Sequence, residues 1–418
     1  MDYFDEHETR APEAREAALF KALRAQLRDA FETAPGLAAH LGTLDVEALT
    51  DRAALARLPV LRKADLTERQ RQDPPFGGLT TREAASFAHI FQSPGPIYEP
   101  GMDTPDWWRF GRALYAAGIR AGMVVHNAFA YHLTPAGHML ESGARALGAS
   151  VIAGGVGNTE AQVRAAADLG ARAYVGTPDF LRLMLEKADE LGLSLTFDRA
   201  LVSGGPLFPS LRQTYADRGI ACLQCYGTAD VGLIAYETRG GTGGPDGAPN
   251  PGMTIDEGVI VEIVRPGTGD PVPEGDVGEV LVSALNPDYP LVRFATGDLS
   301  AILAGASPCG RTGQRIKGWM GRADQTAKVR GMFVRPEQIA AVLARHPDAA
   351  KARLTITRTD EQDAMVLAVE AEGAPENLPR ALSDSLRDVL KLRAEVEIVA
   401  PATLPNDGKV IDDQRSFD

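Results

Sequence analysis

The sequence alternates short β-rich pieces with amphipathic pieces over residues 123–202, and the β-rich pieces are Val124-Val125, Ser150-Val151-Ile152, Ala173-Tyr174-Val175 and Ala200-Leu201-Val202. Between them, residues 137–147, 160–169 and 178–191 have apolar side chains at helical spacing. This alternation predicts a parallel sheet that is covered by helices on both faces. Because ligands bind beyond the carboxyl ends of the strands in such sheets, we expect a binding site there.

The rest of the chain divides into a β-rich part and a small α+β part. Residues 239–252 form a loop by composition, and the β-rich runs 259–264 and 278–283 that follow predict an antiparallel arrangement. After about residue 324 the pattern predicts a helix that opens at Pro336, strands at 353–357 and 365–370, a helix at 376–392 and a strand at 396–399. We therefore predict an α/β N-terminal domain over 1–322, with a β-rich subdomain at about 253–320, and a C-terminal α+β domain over 323–418.

Size and composition restrict the class of protein. The chain has 418 residues, 44% of them hydrophobic and 24% charged, which is typical of a globular protein with two or three domains. It contains no run of 18 apolar residues, so we expect no membrane span. Three cysteines argue against a disulfide framework and favour the reducing cytoplasm. A formal net charge of −13 disfavours nucleic acid as a partner.

Four short motifs carry candidate chemistry: Tyr226-Gly227-Thr228-Ala229-Asp230-Val231-Gly232, Tyr289-Pro290-Leu291-Val292-Arg293-Phe294-Ala295-Thr296-Gly297-Asp298-Leu299, Gly321-Arg322-Ala323-Asp324 and Pro405-Asn406-Asp407-Gly408-Lys409. A carboxylate after a glycine turn, such as Asp298, can accept hydrogen bonds from both hydroxyls of a ribose. Asp230 offers the carboxylate oxygens that Mg²⁺ prefers. The alternative interpretation is that both acids lie in ordinary turns and that Lys409 is a solvated surface lysine.

In this order, the motifs resemble those of the adenylate-forming (AMP-binding) superfamily, and most closely its phenylacetate–CoA ligase branch. The resemblance extends from about Leu58 to Lys409. It implies the fold of adenylate-forming enzymes, which is a large N-terminal α/β domain with a β-rich subdomain and a small mobile C-terminal α+β domain. It also implies two half-reactions: a carboxylate and Mg²⁺·ATP form an acyl-AMP, and the thiol of CoA then displaces AMP.

The resemblance also implies roles for individual residues of the N-terminal domain. The loop of Tyr226, Gly227 and Thr228 would pass under the adenine of ATP or AMP, with Asp230 as the Mg²⁺ ligand, at a position where the family usually has glutamate. Asp298 would hold the ribose. The segment Ser203-Gly204-Gly205-Pro206 would bring its backbone close to the adenine and the acyl group, although Gly204, Gly205 and Pro206 are also compatible with a plain turn.

Three further residues are assigned to the hinge and to catalysis by the resemblance. Arg322 would contact the ribose, and Asp324 would be the pivot about which the small domain rotates. Lys409 would reach the attacking carboxylate and the α-phosphate, where an ammonium group screens two anions as they meet. Tyr131 matches an aromatic residue that flanks the substrate carboxylate, and His132 lies next to it; core packing is the alternative interpretation of both.

The phosphate-binding loop departs from the family pattern, which is usually Ser-Ser-Gly-Thr-Thr-Gly. The corresponding stretch here runs from Ile90 to Gly101, and of the family pattern only Ser93 and Gly95 remain. The prolines of this stretch lack amide donors, and Glu99 would repel a triphosphate. Lys63, in the early lysine segment of the family, could touch the α-phosphate or be a solvated surface lysine. Binding of ATP is therefore predicted to be impaired, while the pocket for AMP remains.

These observations lead to one main functional hypothesis and two alternatives. The main hypothesis is an acid–CoA ligase for an aryl or arylacetic carboxylate, with ATP/AMP, Mg²⁺ and CoA as ligands and a homodimer as the common assembly of the branch. In one alternative, the chain passes the acyl group to a carrier protein or an amine. In the other, it is a non-catalytic protein that binds AMP or an acyl-adenylate. We interpret Cys222 and Cys225 as packing residues, since a zinc site would need four ligands.

Overall fold

The computed structural model describes residues 2–205, 207–240, 248–323, 325–359, 362–372, 375, 377–401, 403–405 and 410–415. The chain divides into two compact units, Met1–Trp319 and Met320–Asp418. No helix within the described ranges is both long and apolar enough to cross a membrane.

The α-helices of the described residues are α1 (Pro12–Thr33), α2 (Pro35–Leu41), α3 (Arg52–Leu55), α4 (Lys63–Gln72), α5 (Phe110–Ala116), α6 (Ala136–Ala146), α7 (Thr159–Asp168), α8 (Pro178–Leu191), α9 (Pro209–Asp217), α10 (Pro336–Leu343) and α11 (Leu378–Leu390). The strands are β1 (Leu61–Arg62), β2 (His89–Ser93), β3 (Ile97–Gly101), β4 (Val124–Asn127), β5 (Ser150–Ala153), β6 (Ala173–Gly176), β7 (Arg199–Val202), β8 (Ala221–Thr228), β9 (Gly232–Tyr236), β10 (Met253–Ile255), β11 (Val259–Val264), β12 (Gly278–Ala284), β13 (Phe294–Ser300), β14 (Ile302–Leu303), β15 (Arg315–Ile316), β16 (Ala327–Val329), β17 (Met332–Val334), β18 (Lys351–Thr359), β19 (Gln362–Glu370), β20 (Glu395–Val399) and β21 (Ile411–Asp413). Short 3₁₀ turns lie at Glu6–Thr9, Val46–Ala48 and Ala84–Ser86.

A nine-stranded sheet forms the centre of the first unit, in the order β14-β15-β10-β9-β8-β7-β6-β4-β5. Strands β5, β4, β6, β7 and β8 pair in parallel, and β9, β10, β15 and β14 continue the sheet with antiparallel pairings. Successive residues of β7 enter opposite cores: Leu201 packs on the side of α5 and α6, whereas Ala200 and Val202 pack on the side of α7, α8 and α9. The parallel sheet with two covered faces, predicted from the alternation in 123–202, is confirmed.

A second sheet of the first unit contains β1, β13, β12 and β11 in that order. Strands β11, β12 and β13 pair antiparallel, as predicted for 259–264 and 278–283, while the short β1 joins β13 in parallel. The β-rich interval 253–320 thus contributes to two sheets, because β10, β14 and β15 belong to the nine-stranded one.

Arg293 fixes this second sheet to the chain segment that precedes it. The side chain is 2% exposed and its Nε lies 3.0 Å from Oε2 of Glu262. Its Nη1 and Nη2 donate to the carbonyls of Ala56, Leu58 and Gly269. Because a buried guanidinium must be paired to offset its desolvation, these contacts give Arg293 a structural role.

The first residues of the chain close over the nine-stranded sheet. Glu8 is 2% exposed and accepts hydrogen bonds from the hydroxyl of Tyr236 at 2.6 Å and from Nη2 of Arg311 at 3.1 Å. Arg311 also donates to Sγ of Cys309, whose hydrogen bonds lower the pKa of the thiol to about 7 although burial opposes this. The N-terminal segment therefore supplies the negative charge that a buried arginine needs.

The second unit is a small α+β domain. Its sheet has the order β20-β19-β18-β21, and α10 and α11 pack on it through a core that includes Leu354, Leu367, Leu382 and Leu386. Strands β16 and β17 form a separate hairpin. The predicted strands and helices after residue 336 are each present, with ends within a few residues of the expected ones.

Candidate active site

Three loops that carry predicted site residues leave the sheet at its carboxyl edge. Tyr131 lies in the loop after β4, Gly204 and Gly205 follow β7, and Tyr226, Gly227 and Thr228 end β8. The carboxyl ends of adjacent parallel strands meet at one edge, so the fold brings these loops together. Pro206 lies outside the described residues.

The loop after β7 is joined to β8 by two hydrogen bonds. Ser203 Oγ donates to the carbonyl of Cys225 at 2.9 Å, and Gln224 Nε2 donates to the carbonyl of Gly205 at 3.3 Å. Gly204 has a φ of +72°, which favours glycine at that position. A Cβ on Gly227 would lie 2.7 Å from the carbonyl oxygen of Gly232, so Gly227 is required by space.

The Asp298 carboxylate accepts hydrogen bonds from Tyr226 and Trp319. The hydroxyl of Tyr226 donates to Oδ2 at 2.7 Å, and Nε1 of Trp319 donates to Oδ1 at 3.0 Å. The contact between Tyr226 and Asp298 joins the nine-stranded sheet to the four-stranded sheet. Two residues that were predicted from separate motifs are therefore in direct contact. Trp319 was missed, although its place two residues before Gly321 is a signal that could have drawn attention to it.

Asp230 lies in the turn between β8 and β9 and forms an ion pair with Lys63, the first residue of α4. Lys63 Nζ and Asp230 Oδ2 are 2.6 Å apart, and the Asp230 side chain is 0% exposed. The alternative interpretation of Lys63 as a solvated surface lysine is wrong, because its ammonium group is paired with a buried carboxylate. Asp230 Oδ1 has no hydrogen-bond partner among the described residues.

Glu99 approaches the same carboxylate from the hairpin of β2 and β3. It is 1% exposed, and Ser93 Oγ donates to its Oε1. Burial first, and then the charge of Asp230, raise the pKa of Glu99 to about 8. Sequence reasoning identified Glu99 as a charge that repels phosphate but missed that it is buried next to Asp230.

The hairpin replaces the expected phosphate loop with a turn of three residues, Pro94, Gly95 and Pro96. Of these three, only Gly95 has a backbone N–H, because proline has none. The Ser93 hydroxyl is already used by Glu99. This turn thus offers fewer donors to a triphosphate than a Ser/Thr/Gly-rich loop would.

An open cavity of about 430 Å³ lies beside this turn, and its lining residues are Gln92, Ser93, Pro94, Gly95, Pro96, Ala130, His132, Leu133 and Thr134. His132 is exposed, and Leu133 is 67% exposed. Tyr131 points to a more enclosed place, where Asn127 Nδ2 donates to its hydroxyl at 2.8 Å and burial raises its pKa. The fold thus places His132, Ser93 and Gly95 at one cavity and gives Tyr131 its own polar partner.

The predicted residues of the second unit are described only in part. Arg322 is half-buried, whereas Asp324 and Lys409 lie outside the described residues. Their chain neighbours are connected: Gln325 Oε1 accepts hydrogen bonds from the backbone N–H of Val410 at 2.7 Å and of Ile411 at 3.2 Å. Gln325, which follows the hinge motif in the sequence, is therefore bonded to the residues that follow the lysine motif.

The Mg²⁺ that the motifs imply fits the residues present. Asp230 Oδ1 is a buried carboxylate oxygen without a partner in the described part of the chain, and Glu99 Oε2 is a second one. Oxygen donors of this kind are the ligands that Mg²⁺ prefers. No group of three or more His, Cys, Asp or Glu side chains suited to a metal occurs among the described residues.

The cysteines that the motifs left unexplained are core residues. Cys222 and Cys225 are buried on opposite faces of β8, in the two separate cores of the nine-stranded sheet. Burial raises the pKa of both thiols to about 12. Their interpretation as packing residues agrees with these positions.

Comparisons with known proteins agree with the fold and with the motifs. Residues 111–286 match the family model for the AMP-binding enzyme, and residues 331–415 match that for the AMP-binding enzyme C-terminal domain. The phenylacetate-coenzyme A ligase of Thermus thermophilus is 31% identical over 334 residues, which cover 76% of this chain and 72% of the relative. The phenylacetate-coenzyme A ligase of Escherichia coli is 27% identical over 97% of this chain and 95% of its own.

A solved structure extends the similarity to nearly the whole chain. The crystal structure of 2-hydroxyisobutyryl-CoA ligase in complex with 2-HIB-AMP and CoA has a TM-score of 0.77 and 25% identity, and the match covers 98% of this chain and 92% of that one.

Proposed function

This chain belongs to the AMP-binding enzyme family, in its phenylacetate–CoA ligase branch, and from that membership we propose that it is an AMP-forming carboxylate–CoA ligase. In the first half-reaction, a carboxylate oxygen of the acid attacks the α-phosphorus of ATP, and the bond to the β-phosphate breaks to release pyrophosphate. In the second, the sulfur of CoA attacks the acyl carbon, the thiol loses its proton, and AMP leaves.

The observation that carries the proposal is the contact of Tyr226 with Asp298 at the carboxyl edge of the sheet. Hydrogen bonds from Tyr226 and Trp319 hold the Asp298 carboxylate between two sheets, and a carboxylate is a group that accepts hydrogen bonds from ribose hydroxyls. Gly204 and Gly205 leave space for the adenine beside them. By its motif, Arg322 would contact a ribose hydroxyl.

The catalytic roles of the second unit rest on its motifs. Lys409 would bind the attacking carboxylate and the α-phosphate, which repel each other until an ammonium group screens them. Asp324 would be the residue about which the second unit turns between the two half-reactions, as domain closures do in other enzymes that assemble a site in two steps. Mg²⁺, held by Asp230, would neutralise phosphate charge.

We propose an aryl or arylacetic acid as the substrate, with Tyr131 and His132 near the acyl group. This choice rests on the branch to which the chain belongs. A small hydroxy acid is the alternative substrate, because the similar solved ligase was crystallised with 2-HIB-AMP. A cytoplasmic location and a homodimer remain part of the same proposal.

The test is a panel of acids with Mg²⁺·ATP and CoA, in which acyl-CoA and AMP are measured together by chromatography and mass spectrometry. The proposal predicts equal amounts of AMP and acyl-CoA with phenylacetate or a related aryl acid, and less product with 2-hydroxyisobutyrate. Absence of acyl-CoA with every acid, from a protein that binds AMP, would contradict it.

The three-residue turn favours a second candidate function, in which the protein binds AMP or an acyl-adenylate and does not use ATP. Pro94 and Pro96 give no N–H donors, and the strand after the turn contains the buried carboxyl group of Glu99. Calorimetric titrations with AMP and with Mg²⁺·ATP separate the two candidates. Similar affinities support the ligase, whereas binding of AMP without binding of ATP supports the second function.

A further inference from the structure

The buried oxygens around Glu99 and Asp230 form a cluster whose chemistry the motifs do not explain. Three of its oxygen atoms have no hydrogen-bond partner among the described residues: Glu99 Oε2, Asp230 Oδ1 and the hydroxyl of Tyr289. Glu99, Asp230 and Tyr289 are 1%, 5% and 1% exposed. Buried polar atoms are nearly always satisfied, so three orphaned oxygens in one place indicate a missing ligand.

The charges of these side chains act on one another, so the groups lie close together. Asp230 acts on Glu99 more strongly than any other charged group, and both carboxylates act on the hydroxyl of Tyr289. Lys63 occupies Oδ2 of Asp230 through its ammonium group, and its charge also acts on Glu99. Ser93 occupies Oε1 of Glu99. The unpartnered oxygens of the two acids are thus the ones left for a ligand.

Two buried carboxyl groups that face no donor suit a hard cation, which on binding would displace the proton that the raised pKa of Glu99 keeps on this acid near neutral pH. Divalent Mg²⁺ and Mn²⁺ bind such oxygen sets, whereas a hydrogen-bonding ligand would need two donors in a confined space. When both acids are ionised, the two carboxylates and the ammonium of Lys63 have a summed charge of −1. A divalent ion changes that sum to +1, which is the sign that an incoming triphosphate requires.

We propose that Glu99 is a second carboxylate ligand of the divalent cation, next to Asp230, and that the cation bound between them takes the place of the amide donors that the prolines of the turn remove. The role of the cation in binding ATP rests on the proposed function. The binding of the cation itself rests only on the cluster of Glu99, Asp230 and Tyr289.

The test is a titration of the full chain with Mn²⁺ alone, in which the electron paramagnetic resonance signal of free Mn²⁺ reports binding. The wild type should show one saturable site. Glu99→Gln and Asp230→Asn should each weaken it about tenfold or more, because each removes one charged ligand while keeping the side-chain volume. The matched control is Asp103→Asn, since the Asp103 side chain is 85% exposed. This variant should bind Mn²⁺ as the wild type does.

Two outcomes overturn the proposal: a wild type without a saturable Mn²⁺ site, or a Glu99→Gln variant with wild-type affinity. Thermal unfolding identifies a variant that fails to fold. If Glu99→Gln does not fold, Glu99→Asp is used instead. Its carboxylate is one methylene shorter, so it should weaken Mn²⁺ binding while keeping the charge. The titration contains no acid, ATP or CoA, so a protein without ligase activity can still confirm the cation site. Conversely, an active ligase in which Glu99→Gln leaves Mn²⁺ affinity unchanged refutes the cation site alone.

Discussion

Tyr226 and Asp298, 72 residues apart in the sequence, are joined by a 2.7 Å hydrogen bond from the tyrosine hydroxyl to Oδ2 of the carboxylate. Tyr226 lies near the end of β8 in the nine-stranded sheet, and Asp298 belongs to the four-stranded sheet. The proposed ribose site therefore lies where two sheets meet, and its geometry depends on how firmly they are held together.

Replacement of Asp298 by alanine should weaken the binding of AMP and of ATP together. A hydrogen bond to a charged group contributes about 1.5–3 kcal/mol, so the Kd for AMP should rise roughly tenfold to a hundredfold. Tyr226→Phe should have a smaller effect, because it loosens the carboxylate without removing it. Isothermal titration calorimetry with AMP gives the Kd of both variants, Asp298→Ala and Tyr226→Phe. Tyr236→Phe is the control, since it removes a buried hydroxyl that bonds Glu8 instead. Unchanged AMP affinity in Asp298→Ala would remove this residue from the ribose site.

Lys409→Ala should abolish the formation of the acyl-adenylate and spare the second half-reaction. The physical reason is that two anions must approach each other only in the first step. Isotope exchange between pyrophosphate and ATP measures the first step, and acyl-CoA formation from a supplied acyl-adenylate measures the second. Lys21→Ala, an exposed lysine of α1, should change neither. Equal loss of both steps in Lys409→Ala would contradict the assigned role.

Removal of the Arg293 side chain should destabilise the first unit by about 3–5 kcal/mol, because Glu262 would remain buried without its partner. Chemical denaturation of Arg293→Ala against the wild type gives the difference in the free energy of unfolding. The matched change is Arg82→Ala, since Arg82 forms an exposed ion pair with Asp288 that should contribute at most about 1 kcal/mol. Similar losses in the two variants would show that the carbonyl and carboxylate contacts of Arg293 contribute little.

Asp106 should make the first unit less stable as the pH rises from about 4 to about 6. Burial raises the pKa of Asp106 to about 6, from 3.8. In this range the folded state holds a proton that the unfolded state has lost, so the free energy of unfolding falls with rising pH. The full effect is at most about 3 kcal/mol.

Asp106→Asn isolates this contribution, because asparagine stays neutral and can still accept the hydrogen bond from the N–H of Gly111. Its φ of +54° also suits asparagine. Relative to the wild type, the variant should gain stability between pH 4 and pH 6 and keep that gain at higher pH. Denaturation curves at several pH values measure the difference, and a constant difference would show that Asp106 does not titrate in this range.

The sequence was sufficient to predict those elements that local periodicity determines. The run 178–191 predicts a helix, and α8 spans Pro178–Leu191. The pairing of β10 and β15 with the nine-stranded sheet was not predicted, because strands of two or three residues have too little periodicity to indicate their partners. Contacts with residues that are distant in the sequence determine which sheet such short strands join.

In the candidate site, too, the local features were predictable from the sequence and the contacts between distant residues were not. The motifs gave Asp298, Asp230 and the glycines at the carboxyl edge, because each motif is local. They did not give the burial of Glu99 beside Asp230 or the pairing of Asp230 with Lys63, which is 167 residues away in the sequence. From the sequence alone, a charged residue such as Glu99 in a proline-rich segment is expected to be exposed, and only the tertiary structure shows that it is buried.

The contact of Glu8 with Arg311 has a consequence for the order in which the protein can fold. The two residues are 303 positions apart, and domains generally begin to fold from the N-terminus while the chain is being synthesised. Glu8 leaves the ribosome 303 residues before Arg311, so its partner follows only when nearly all of the first unit has been made. The nine-stranded sheet therefore cannot be completed strand by strand during translation. Its final closure waits for the end of the first unit, and until then the segment that will cover it stays in water.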